Sequence, residues 1–157
     1  MLPGSRSLVR RAVLVAVAAV SIAGCGALTG TEPAPTPADF QTFEAILSRA
    51  GIHVDHIVSG DPGCDDVELG RTAIGFDASG LDQPTPTRLY VYIFRNGATF
   101  DRLRQTVDDC AKAYVTDPAT YESIDASPFV VAGQGPWAPA FRGAVRTALT
   151  AAASPGG

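Results

Sequence analysis

The chain reads as an α+β domain, a mostly antiparallel sheet of about four strands with two or three packed helices. Three observations predict it. Strand-like runs at 52–58, 71–77 and 88–95 follow one another across loops of roughly ten residues, as in an antiparallel meander. Apolar residues recur every three or four positions across 38–50, 99–114 and 139–151, the period of an amphipathic helix. The order helix, three strands, helix, strand, helix lacks the regular alternation of a parallel α/β protein. A length of 157 residues leaves no room for a TIM barrel or a two-domain enzyme.

Residues 1–24 predict an export signal. Residues 1–11, MLPGSRSLVRR, are basic, and 12–23, AVLVAVAAVSIA, are uncharged and apolar. A membrane-spanning helix needs about 20 apolar residues, so this run is too short to span and fits a signal peptide. It ends in Ile22-Ala23-Gly24-Cys25, an aliphatic residue, two small ones and a cysteine. That ending resembles the lipobox of bacterial lipoproteins. The resemblance covers residues 1–25 only. It implies that Cys25 becomes the mature N-terminus, with a diacylglycerol on sulfur and usually an acyl chain on the amine. Two chains are what stable anchoring takes. Arg10-Arg11 lacks the richer flanks of a twin-arginine export motif. Residues 25–37 then form a tether rich in Pro, Thr and Gly that holds the domain off the lipid.

The domain spans 38–151. In Thr36-Pro37-Ala38-Asp39, Thr36 suits the cap, Pro37 the first helical position and Asp39 the capping-box acid. Phe40, Phe43, Ile46, Leu47 and Ala50 then share a face, and Gly51 ends the helix. In the strand 52–58, Ile52, Val54, His56 and Val58 share one face, and His53, Asp55 and Ile57 the other. SGDPGCDD reads as a loop, and 71–77 as a strand with Thr72, Ile74 and Phe76 together. ASGLDQPTPT reads as a second loop, because its two prolines cannot donate to a ladder. The strand 88–95, RLYVYIFR, is apolar or aromatic on both faces and belongs at the sheet centre. Helix 99–114 turns Phe100, Leu103, Val107, Cys110, Ala111 and Tyr114 inward, with Thr99 as a suitable cap. A short strand, 129–132, and the helix 139–151 complete the domain, and 152–157 form a flexible tail.

Charge excludes some functions. Three of the twelve basic residues, Arg6, Arg10 and Arg11, precede Cys25, and none of the sixteen acidic residues does. A net-acidic mature chain offers no nucleic-acid footprint and no polybasic membrane patch. Once Cys25 is lipidated, Cys64 and Cys110 remain, and an even remainder outside the cytoplasm predicts a disulfide. It would close a loop of about 45 residues, worth roughly 4 kcal/mol at most. Asp61, Asp65, Asp66 and Glu68 around Cys64 lack EF-hand spacing and read as a solvated loop. His53 and His56, three apart on a strand, point to opposite faces, so no metal site is expected. No serine has a nucleophile-elbow context, and no catalytic group or cofactor is expected.

Trp137 reads either as a core plug between the sheet end and the last helix or as an exposed anchor. The two rows of 88–95 predict a candidate binding surface. Helices 99–114 and 139–151 are expected on the Leu89/Val91/Ile93 side. Tyr90 and Tyr92 would then be partly exposed, or roofed only by helix 38–50, with Tyr121 and Trp137 extending the surface. The functional expectation is a lipoprotein anchored to the bacterial cell membrane through acylated Cys25. It would have a non-catalytic binding or envelope accessory role, with an envelope protein or apolar ligand as partner. The alternatives are a carrier of a small apolar ligand or lipid in an internal pocket, and a small hydrolase assembling His56, Asp55 and a serine.

Overall fold

The computed structural model describes residues 37–154, so Cys25, the signal segment and the tether lie outside the described residues. Pro37–Arg49 forms helix α1 and leads into strand β1, Ile52–Ser59. A short helix α2, Val67–Gly70, precedes the hairpin of β2, Ala73–Gly80, and β3, Gln83–Ile93. Helix α3, Gly97–Ala111, is followed by a second hairpin, β4, Tyr121–Ala126, and β5, Phe129–Gln134. Helix α4, Pro139–Ala152, completes the domain. The five strands run in the order β1-β2-β3-β5-β4, every neighbouring pair antiparallel.

The α+β class is the expected one, and β3 is indeed central. One strand was not anticipated: β4 buries only Ile124, so its residues carry almost no apolar pattern. The prolines of the second expected loop lie inside β3. Ala78 pairs with Thr87 and Gly80 with Gln83, so Pro84 and Pro86 fall in an excursion where no ladder donor is needed. Helix α3 begins two residues earlier than expected because Asn96, not Thr99, caps it: Asn96 Oδ1 accepts from Thr99 N at 2.9 Å.

Helices cover both faces of the sheet. On one side α1 and α4 bury Phe43, Leu47, Phe141, Val145 and Leu149 against Ile74, Phe76, Leu89, Val91 and Val131. Asp82, at the β2–β3 turn, caps α4 from afar, accepting from Ala140 N and Phe141 N at 2.9 and 2.8 Å. These bonds, that to Ala140 foremost, hold its carboxyl below the ordinary carboxylate range. On the other side α3 and α2 bury Leu69, Leu103 and Val107 against Tyr92, Val130 and Ala132. Cys64 is bonded to Cys110, Cα atoms 5.6 Å apart, so the irregular loop after β1 is stapled to α3.

This arrangement corrects the expected helix placement. Helix α4 does pack on the Leu89/Val91 side, but α1 joins it there and α3 takes the tyrosine side. Both rows of β3 are apolar, so either face satisfies any helix, and the connections decide. Tyr92 is 0% exposed and Tyr90 7%. Tyr92 Oη donates to Pro62 O at 2.8 Å, and burial pushes its phenol far above the ordinary tyrosine range. Trp137, 5% exposed, is the plug of the first reading. Its Nε1 donates to Gln134 O at 3.0 Å, and its backbone N–H donates to Glu122 Oε1 at 2.8 Å.

Candidate functional site

With Tyr90, Tyr92 and Trp137 inside, the tyrosine row offers no binding surface. The α3-side face is not covered to its end, however. Beyond α3 and α2, where β1, β2 and β3 meet, a recess of about 110 Å³ is lined by His53, Asp55, His56, Asp77, Ser79 and Pro86.

The recess is made by a β-bulge. Asp55 pairs with Asp77 and Val58 with Gly75, so His56 and Ile57 together oppose Phe76 alone. His56 takes a φ of 48°, and its N–H donates to Asp55 Oδ1 at 2.7 Å. The extra residue breaks the two-residue alternation. His53 and His56, expected on opposite faces, therefore line one recess.

Arg88 buttresses the bulge from β3. Its Nη1 donates to His56 O at 3.0 Å and to Asp77 Oδ1 at 3.4 Å, and its Nη2 donates to Asp61 Oδ2 at 2.7 Å. Its guanidinium carbon lies 5.5 Å from the Tyr90 ring centroid. Burial alone would lower its pKa, but the bonds to Asp61 and Asp77 outweigh that and hold it above its ordinary value. Gly75 makes this possible: a Cβ there would stand 2.5 Å from Arg88 Nη2 and 2.7 Å from Asp61 Oδ2. Across the recess His56 Nδ1 lies 3.2 Å from Asp77 Oδ2 and 3.7 Å from Asp55 Oδ2.

A histidine between carboxylates has the orientation of an acid–base pair. Ser79 lines the recess, and among the described residues no hydrogen bond joins its hydroxyl to either histidine. Among the described residues no group of three or more His, Cys, Asp or Glu is placed to hold a metal ion. Asp55 and Asp77 line the recess, so it presents carboxylates to a cationic donor.

Two other acids that follow β1 have structural work. Asp66 Oδ1 caps α2 through Leu69 N at 2.8 Å, and Glu68 pairs with Arg102 at 2.6 Å. A second depression, about 320 Å³ and open to solvent, lies beside the end of α3. Asp108, Ala111, Lys112, Val115, Pro118 and Tyr121 line it. Arg104 fastens its rim, reaching Asp108 at 2.7 Å and Asp125 at 2.8 Å, while Tyr121 Oη donates to Asp108 at 2.6 Å. Sequence reasoning named His56, Asp55 and a serine together but placed His53 on the opposite face from His56, and it missed the second depression. His53, Asp55 and His56 were the visible signal for the first, and the bulge that unites them has no signature in the residue pattern.

No protein-family model, curated protein or solved structure matches this chain. The fold and site define the class as a small disulfide-stapled α+β sandwich with a polar recess at one sheet edge.

Proposed function

We propose that this protein is an extracytoplasmic lipoprotein, held on the bacterial cell membrane by acylated Cys25, whose domain binds an envelope partner without catalysing a reaction. The observation that carries the reading is the Cys64–Cys110 disulfide. Such a bond persists where the surroundings are oxidising, which is where a chain with this N-terminus would be delivered. The Pro-rich tether between Cys25 and α1 suits a domain that works at some distance from the lipid. Binding is favoured over hydrolysis because the histidine–carboxylate recess has no hydroxyl engaged by its imidazoles. A carrier role has less support. Among the described residues both helix–sheet interfaces are filled by side chains, and an apolar ligand would meet the open groove beside α3 rather than an internal pocket.

Fractionation tests the reading. The wild-type chain should partition with membranes and release on detergent extraction. Cys25→Ser should shift the mature protein to the soluble fraction with its disulfide intact. Wild-type protein in the soluble fraction, or free Cys64 and Cys110 thiols in the membrane-bound form, would contradict it.

A further inference from the structure

Among the described residues, the recess lies on the strand whose edge and one face are both left open. Among the described residues β1 ends the sheet, and no strand pairs with its outer backbone groups. β4 ends the other side, but its side chains are tied down: Arg104 holds Ser123 and Asp125, and Arg142 holds Glu122. On β1 the inward residues Ile52 and Val54 meet the α1 side, while Ile57 and Val58 remain 45% and 48% exposed. Large aliphatic side chains on a free edge invite pairing with another chain, and natural edges are usually blunted by charge or a bulge. Here charge and bulge are gathered into a shaped recess beside the aliphatic pair.

Charge decides the occupant. Asp55 and Asp77 line the recess and Asp61 joins Asp77 at Arg88, so three carboxylates meet one guanidinium. A second copy docking edge to edge through a twofold axis would set like charges against each other. A partner with a cationic side chain would meet complementary charge. We infer that β1 is a docking edge for an extended, basic segment of a partner protein. The segment pairs its backbone along β1 ahead of the bulge, places a lysine or arginine over Asp55 and Asp77, and sets an aliphatic residue against Ile57 and Val58. This is strand addition with one side-chain pocket for specificity. The bulge halts the ladder at His56 and so sets the register. The inference rests on the binding role proposed above and names its partner class.

Hydrogen exchange on the detergent-extracted full chain, in a nonionic detergent, tests it with two blocked nonapeptide probes. One alternates valine with lysine, the other valine with glutamate. The lysine peptide should slow exchange in the part of β1 ahead of the bulge, residues 52–55, and the glutamate peptide should not. Asp55→Lys, on a side chain 62% exposed, should keep the fold and weaken the protection by about tenfold or more in apparent Kd. Equal protection by both peptides, or none by the lysine peptide at millimolar concentration, would overturn the inference. Protection confined to 108–121 would move binding to the groove beside α3, overturning the edge assignment while leaving the binding role standing. Concentration-dependent protection of β1 without peptide would make the occupant a second copy and refute the basic partner. The membrane assignment fails on a separate readout, the Cys25 fractionation.

Discussion

Replacing Tyr92 by alanine distinguishes a core tyrosine from a binding-surface tyrosine. If Tyr92 lined a partner site, truncation would cost little stability. The structure requires a large cost. The side chain is 0% exposed and its hydroxyl donates to Pro62 O at 2.8 Å. Cys110 Sγ also lies 3.1 Å from that carbonyl, but a disulfide sulfur carries no proton, so the tyrosine is the donor. Removing a buried aromatic ring costs about 3–5 kcal/mol. Loss of the hydroxyl bond adds about 1 kcal/mol, so Tyr92→Ala should lose roughly 4–6 kcal/mol. Tyr92→Phe isolates the hydroxyl and should lose about 1–3 kcal/mol, the range for a buried carbonyl left unsatisfied. Urea unfolding of the oxidised protein, with m held constant, reads both. A cost under about 1 kcal/mol for Tyr92→Ala would refute the burial reasoning, because a truncation this large in a packed layer cannot be that cheap.

Three further outcomes follow from the same geometry. Cys64→Ala should lower stability by about 2–4 kcal/mol in urea unfolding, since the bond closes a long loop in the unfolded chain. Gly75→Ala should cost about 1–3 kcal/mol by overpacking and should speed hydrogen exchange in β1, because the added Cβ displaces Arg88 from the bulge carbonyl. Burial pushes the Tyr114 phenol from its ordinary value of 10.0 up to about 12. Its folded value lies above its unfolded one, so its contribution is complete below pH 10 and is lost as pH rises toward 12. Unfolding free energies measured across that window should fall less steeply for Tyr114→Phe.

Much of the fold could be read from residue pattern, and the failures have identifiable causes. The stop at Gly51, the twin apolar rows of β3 and the inward face of α4 are local signals that the tertiary structure reinforces. The cysteine pairing needed only the count of cysteines left after Cys25. The side taken by α3 was not legible, because Tyr90 and Tyr92 look amphipathic in sequence and are enclosed by α3 together with the loop that Cys64 staples to it. β4 was missed because Ser123 and Asp125 face Arg104 and Glu122 faces Arg142. A strand whose outward contacts are ionic shows no apolar alternation. Pro84 and Pro86 disguised the start of β3. The recess was hidden by one residue: without the bulge at His56, parity puts the two histidines on opposite faces.

The intact mass of the wild-type protein, extracted from membranes in mild detergent without reductant, tests the proposed function most directly. The expected mass is that of a chain that starts at Cys25 and carries diacylglyceryl mass, usually with a further acyl group, lighter by two hydrogens for the Cys64–Cys110 bond. A chain that starts elsewhere, or one that starts at Cys25 without acyl mass, would contradict it.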